Sequence, residues 1–322
     1  MSRQTKTEIL DANEQLLVRL AWACEVQGMT QAQAAEQFGV TRLRVNKSLA
    51  EARERGIVRV TINSSFSPCI ALEQQLVERF GLTSATVAPV GGEDFKLYTV
   101  LGAALGQFLN RLLEQPNIKL FGMSWGNTLN MATRFMEPMN RPDLEITSVM
   151  GGLTKGSDVN SYEITTRLAD LCNAAHSYFT APVYASSMAS REILEQHKEF
   201  KGSIEKIRTA DGLALAAGDM ETSLLLADAL PEDIRVPDLK EAGAVGDIMG
   251  YFLRADGRLV DHDINARVLG IKLDDLDDLS NVVVAAGGAN KVPIMRAILL
   301  RGCVDHLVTD EHTARDLVAA SQ

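Results

Sequence analysis

The sequence predicts an α/β protein in two parts: an N-terminal helix-turn-helix module, winged-helix-like, and a larger α/β domain built on a mainly parallel sheet. Three observations carry this. Residues 29–62, MTQAQAAEQFGVTRLRVNKSLAEARERGIVRVTI, hold two short helical patterns separated by a glycine. From residue 118 onward, apolar runs ending in glycine lead repeatedly into helical segments. Charge is also divided unevenly. The 322-residue chain has a net charge of −10, yet residues 1–62 hold nine Lys/Arg against seven Asp/Glu, leaving 23 against 35 for the rest. A weakly basic head joined to a strongly acidic body fits a DNA reader whose second part repels the phosphate backbone and so helps orient docking.

Ala34, Ala35 and Phe38 fall on one helical face, Gly39 breaks that helix, and Thr41 is placed to cap the next. In the second helix Val45, Leu49 and Ala52 form the seam, and Gly56 ends it. Arg42, Leu43, Asn46 and Lys47 are left facing outward with Arg44 on the flank, and no acid occurs between Gly39 and Ala50. Arg pairs with guanine, Asn with adenine, and a leucine touches a thymine methyl, whereas Lys47 and Arg44 suit phosphates equally well. With Gln31 and Thr41 at the two helix starts, these are the candidate DNA contacts. A supporting first helix is expected over Asn13–Gln27, from the spacing of Leu16, Leu17, Leu20 and Cys24. Ile57–Ile62 alternates like a short strand, a candidate wing. The head then covers 1–62, NSSFSP at 63–68 is the linker, and the α/β domain covers 69–322.

In the body, helices are expected over Ile70–Phe80 and Phe95–Leu113, with a strand at Thr86–Val90 between them. Strands follow in IKLFGMSWG (118–126), EITSVMGG (145–152), GLALAAG (212–218) and NVVVAAGG (281–288). Asp256-Gly257, between FLR and RLV, predicts a hairpin turn inserted into the wound sheet. Ligands of such a fold collect where strands end and helices begin.

Several residues at those ends are candidates. In GMSWGNT, backbone N–H groups near Gly122, Gly126 and Asn127 can converge on an anion, with Ser124 and Thr128 adding hydroxyl donors. A tight strand-to-helix turn with Trp125 packed into the core explains the same residues without a ligand. Lys291, after Gly287 and Gly288, offers a point charge, or is an exposed lysine at a helix start. Asp247 can accept two hydrogen bonds from vicinal hydroxyls, or cap a helix. Asp310 reads as a helix cap. Lys155 is a Schiff-base candidate weighed against a plain loop lysine, and Asn160 and Pro182 lie beside the presumed cleft.

Other classes find less support. Cys24, Cys69, Cys172 and Cys303 form no CxxC pattern and the five histidines have no ligand spacing, so no metal, disulfide framework or cofactor is expected. No apolar run approaches the roughly 20 residues that span a bilayer, so a cytoplasmic protein without membrane contact is expected.

The order of helix-turn-helix, GMSWGNTL (122–129), Gly151-Gly152, GAVGDIMGYFLRADG (243–257), AAGGANKVPIMRAIL (285–299) and VDHLVTDEHTARDLV (304–318) resembles the SorC family of bacterial transcriptional regulators over nearly the whole chain. The resemblance implies an effector domain similar in fold to sugar-phosphate isomerases, binding a small sugar, polyol or sugar phosphate. It also implies assembly into tetramers on double-stranded operator DNA. It makes the 122–128 loop a phosphate holder and Lys291 an effector ligand, with Trp125, Gly151, Gly152 and Asp247 joining the site. Asn127 departs from the Thr or Arg frequent at that position, which puts in doubt the group held there. The expected function is regulation of a carbohydrate or polyol catabolic operon. The alternative is a sugar-phosphate isomerase-like enzyme with an accessory helical module, using Asp247 or Glu221 as its base.

Overall fold

In the computed structural model, which describes residues 4–58, 67–90, 96–152 and 160–319, the chain divides into two compact units, 1–64 and 65–322.

The first unit is a three-helix module of α1 (Gln4–Glu25), α2 (Gln31–Gln37) and α3 (Arg42–Glu54). Its core joins Leu17, Leu20 and Ala23 of α1 to Ala34 and Ala35 of α2 and to Val45, Leu49 and Ala52 of α3. The turn between α2 and α3 follows from local chemistry. Gly39 takes a left-handed φ of +62°, and the Thr41 hydroxyl accepts from the Arg44 N–H at 3.2 Å, satisfying one of the donors a helix start leaves open. Thr30 caps α2 in the same way, with Gln33 completing a reciprocal box. The first helix begins nine residues before the Asn13 expected. Its opening turns carry no strong apolar period, although QTKTEILDANEQ contains no helix breaker. Of the expected wing, residues 59–62 lie outside the described residues.

In the second unit, α4 (Ser67–Phe80) starts inside the expected linker, because Pro68 suits a first helical turn where its missing N–H costs nothing. Then come β1 (Ser84–Ala88), α5 (Leu97–Leu113), β2 (Leu120–Met123), α6 (Asn127–Ala132), β3 (Glu145–Ser148), α7 (Ser161–Cys172), β4 (Ala175–Ser177) and β5 (Gly212–Leu215). The chain continues through β6 (Ala217–Asp219), β7 (Gly246–Ile248), β8 (Tyr251–Leu253), β9 (Val282–Ala285) and β10 (His306–Asp310). Seven strands form one wholly parallel sheet in the order β1-β10-β9-β5-β2-β3-β4. The central strands read as continuous apolar runs, such as VVVA in β9, because helices cover both faces.

A second, antiparallel sheet is β6-β7-β8. Its β7–β8 hairpin turns at Met249-Gly250, one turn ahead of the Asp256-Gly257 that the sequence pointed to. Met249 has φ +52° and Gly250 +84°, the two left-handed residues of a type I′ turn. The turn expected at Asp256-Gly257 is present as well: it sets Leu259 against Leu253, with the Arg254 N–H donating to the Arg258 carbonyl at 2.8 Å and the Val260 N–H to the Phe252 carbonyl at 3.0 Å. Asp-Gly is the stronger turn signal in isolation, but the register of Asp247 opposite Phe252 sets the main turn.

Glycine also positions α6. A side chain at Gly102 of α5 would meet Met131 at 2.5 Å, and one at Gly106 would meet the Ala132 carbonyl at 2.9 Å, so α5 and α6 pack nearly backbone to backbone. Gly122, inside β2, faces Val149 and Leu213 at 2.2 and 2.3 Å from where its Cβ would lie. Gly122→Ala is therefore expected to overpack the sheet and cost about 1–3 kcal/mol. Denaturant unfolding should show a lower midpoint at unchanged slope, and an unshifted midpoint would contradict the packing role.

Candidate functional site

The parallel sheet has one point where the chain reverses direction across it. From β2 the chain runs outward through β3 and β4, then returns to place β5 on the other side of β2 and continues to β9 and β10. The segments leaving β2 and β5 consequently diverge, and a cleft opens at their ends, as at the switch point of other open α/β sheets. Ser124, Trp125, Gly126, Asn127 and Thr128 form one wall, Ala216 and Gly218 another, and Ala285, Ala286 and Lys291 close it from β9.

Ser124 holds the fork together. Its N–H donates to the Ala214 carbonyl at 3.0 Å, and its hydroxyl accepts from the Ala216 N–H at 3.2 Å. Gly126, with φ +141°, then leads into α6, whose first ladder bond runs from the Asn130 N–H to the Gly126 carbonyl. The N–H groups of Asn127, Thr128 and Leu129 precede that bond and have no acceptor within the helix. Trp125 is both buried and cleft-lining, and its indole N–H has no partner among the described residues. The turn reading and the ligand reading of this loop are thus compatible.

The opposite wall is polar and buried. Asp219 accepts from the N–H groups of Glu221 (2.8 Å) and Thr222 (2.6 Å), the Thr222 hydroxyl (2.8 Å) and the Asn290 amide (3.0 Å). Burial pushes its carboxyl up, but these hydrogen bonds and the Lys291 charge hold it below the ordinary value. The Lys291 Nζ lies 3.6 Å from Asp219 and donates to the Ala217 carbonyl. Asp247 is different. It is 6% exposed and receives only two long contacts, from the Ser223 hydroxyl at 3.4 Å and the Gly250 N–H at 3.3 Å. Burial drives its carboxyl up to about 6, against the partial pull of Gly250, Lys291 and Ser223.

Of the expected cleft residues, Ser124, Trp125, Gly126, Asn127, Thr128, Asp247 and Lys291 come together here. Gly122, Gly151 and Gly152 do not. Gly122 is needed for packing inside β2, and a Cβ on Gly151 would strike the Pro182 carbonyl at 2.2 Å. Gly152 bridges to Pro182 and lines a separate surface cavity. Neither Asn160 nor Pro182 lines the cleft. Lys155 lies outside the described residues. Asp310 caps the last helix, Glu311–Ala319, through the Thr313 N–H, and also accepts from the Gly288 N–H. Glu221, the other proposed base, is exposed and faces a different groove.

The cleft adds residues that sequence reasoning missed, notably Tyr98, Met150, Gly218, Thr222, Ser223 and Met249. Ser223 carried a usable signal, since it precedes LLLAD and caps that short helix through the Leu225 N–H. Gly218 carried another: its Cβ would lie 2.0 Å from the Asp247 Oδ1, so only glycine leaves that carboxyl in place.

In the first unit, Arg42, Leu43, Arg44, Asn46 and Lys47 are all exposed along the start of α3, with Leu43 at 65%. Gln31 is half-buried at the start of α2, and Thr41 spends its acceptor on the cap. Arg44 donates to the Asn13 side chain at 3.2 Å. Arg53 and Arg55 are tied to Glu25 and to Glu14 and Glu51. Arg42 and Lys47 form no ion pair with a described residue.

The buried Asp247 has a consequence for stability. Between its ordinary 3.8 and its folded value of about 6, the native chain holds a proton that the unfolded chain has released, so stability falls as pH rises through that window. Asp247→Asn is expected to leave stability near pH 4 little changed and to raise it at pH 8 by up to about 3 kcal/mol. Thermal melts of both proteins across pH 4–8 check this, and a variant less stable than the wild type at pH 8 would contradict it.

Comparison with known proteins places these units. Residues 64–319 match the Sugar-bind family, a sugar-binding domain. The erythritol catabolism regulatory protein EryD of Brucella abortus is 29% identical over 309 residues, covering 96% of this chain and 98% of that protein. The transcriptional regulator LsrR of Klebsiella pneumoniae is 32% identical over 314 residues, covering 96% and 94%. The crystal structure of the full-length sorbitol operon regulator SorC from Klebsiella pneumoniae aligns with a TM-score of 0.71 at 25% identity, over 94% of this chain and 98% of that one. These relatives are regulators, not enzymes, which removes the isomerase alternative. No described helix is long and apolar enough to cross a membrane. With the family model covering the body and relatives aligned along nearly the whole chain, the protein belongs to the SorC family of transcriptional regulators with a sugar-binding domain.

Proposed function

We propose that the protein binds an operator through α3 and controls a carbohydrate or polyol catabolic operon, gated by a small sugar, polyol or sugar phosphate in the cleft at the β2/β5 fork. The observation that carries this reading is the cleft itself, where unpaired N–H groups, hydroxyls, one ammonium and one buried carboxyl converge. The names of two relatives point the same way, toward erythritol catabolism and a sorbitol operon.

For gating, the ligand must bind one arrangement of the protein better than another, because equal affinity shifts nothing. One helix-turn-helix covers one half-site, so the reading includes a homo-oligomer, a tetramer by family resemblance, on a pseudo-palindromic operator in the cytoplasm. Gln31, Thr41, Arg42, Leu43, Arg44, Asn46 and Lys47 are the DNA contacts in this account. Arg42 and Asn46 read bases. Lys47 and Arg44 meet phosphates.

Arg42→Ala is expected to weaken binding to a fragment from upstream of its own gene by about 1–3 kcal/mol, with little change on unrelated DNA. Gel-shift titration at fixed salt measures both. Equal operator affinity in variant and wild type would remove Arg42 from the reading head.

A further inference from the structure

The first helix of the DNA module is apolar on two sides. Leu17, Leu20 and Ala23 face the core of the module, yet Val18, Trp22 and Val26 recur every four residues along another side and stand open to solvent, Trp22 at 58% and Val26 at 60%. Ile57 joins them from beyond the end of α3, and Ala21, Glu25 and Val58 complete the floor and rim of one shallow apolar groove. Between Leu16 and Val26 only Arg19 and Glu25 carry charge. A helix that is apolar all round belongs under cover on every side, and this side of α1 has no cover among the described residues of the module. Single exposed apolar side chains are ordinary, whereas a contiguous patch with an aromatic centre marks an interaction surface.

We propose, resting on the operator-binding reading above, that this groove holds the same groove of a second copy. Two DNA modules seated on neighbouring half-sites pair antiparallel through their first helices, with Trp22 of each at the two-fold axis. When the two four-residue ridges lie along each other, Val18 of one copy sits beside Val26 of the other, so the stripe is self-complementary, as a two-fold interface requires. Polar groups ring it. Arg19 is exposed on the flank, and Glu25 is held at the edge by Arg53 at 2.7 Å. An aromatic centre inside a charged rim is the anatomy of a protein–protein contact.

Position and size both fit a second copy. None of the candidate DNA contacts lines the groove, and Ile57 lies past the end of α3 that is opposite Arg42, about 20 Å along the helix. Pairing therefore leaves the reading residues free. One tryptophan, two valines and one isoleucine, each partly exposed, offer on the order of 300 Å² per copy, well under the roughly 800 Å² that each partner of a free-standing complex buries. A contact this small does not hold two free proteins together. It holds two modules that DNA already places side by side, where the effective concentration of one for the other is high. Pairing thus ties operator affinity to the spacing and phase of the half-sites.

The test uses the full chain with three DNAs: a footprinted fragment from upstream of its gene that holds two half-sites, the same fragment cut to one half-site, and a version with half a helical turn inserted between the two. Trp22→Glu sets two carboxylates against each other at the axis. It is expected to bind the two-site DNA at least about tenfold more weakly than the wild type, and to match the wild type on one half-site and on the half-turn insert, where the modules cannot meet. Because Trp22 is exposed, the melting temperature of the variant should be unchanged. The chain has two tryptophans and Trp125 is buried, so acrylamide quenching reads Trp22, with Trp22→Phe to assign the signal. Quenching should be full in the free chain and on one half-site, and should fall on the two-site DNA. Equal two-site affinity in Trp22→Glu and wild type, an equal loss on all three DNAs, or a Trp22 that stays quenchable on the two-site DNA would overturn the pairing and leave the operator reading intact. A Trp22 already shielded in the free chain would overturn it as well, since the face would then be covered without DNA. If the wild type binds none of the three, the operator reading fails and the pairing falls with it.

Discussion

The geometry of the cleft depends on the separation of β2 and β5 at the middle of the parallel sheet. While the two strands pair, each satisfies the backbone of the other, and beyond Met123 and Ala214 that pairing ends. Ser124 replaces it, donating from its backbone and accepting on its hydroxyl across the gap. The polar groups released by the divergence would otherwise be buried without partners, at a cost of about 1–3 kcal/mol each. Here they border the cleft instead. The backbone-close packing of α5 on α6 fixes one wall, and the β6-β7-β8 sheet fixes the other.

Polar groups on the two sides of the cleft are treated unequally. Asp219 and Lys291 form a finished network, whereas Asp247 sits in the same wall with long, weak contacts and a raised pKa. A buried carboxyl left short of partners lowers the stability of the empty protein. Any ligand that completes its hydrogen bonds recovers that loss on binding, which makes the occupied state distinct from the empty one. Differential stabilisation of this kind is the physical requirement for an effector to shift an equilibrium.

Much of this was legible in the sequence, for local reasons. The cap at Thr41, the left-handed Gly39 and the seam of α3 depend on neighbours within four residues. The GMSWGNT loop was readable because small residues after an apolar strand mark a strand-to-helix turn. What stayed hidden depends on distant partners. Gly122 reads like part of a phosphate cradle, yet its neighbours are Val149 and Leu213, and Gly151 answers to Pro182. Tyr98 and Met249 reach the cleft from segments far apart in the chain, and neither has a local signature of ligand binding. The hairpin at Met249-Gly250 was obscured by a stronger turn dipeptide seven residues later.

In the proposed function, occupancy of the cleft in one unit changes the affinity of the exposed basic helix in the other for operator DNA. The most direct test is fluorescence anisotropy of labelled operator DNA against the full chain, with and without each polyol or sugar phosphate that stabilises the protein, for wild type, Thr128→Ala and Lys291→Ala. The account predicts a ligand that changes wild-type operator affinity by about tenfold, within the usual range of allosteric coupling, and leaves both variants unresponsive. Wild-type operator affinity that is identical in the presence of every ligand that binds would contradict it.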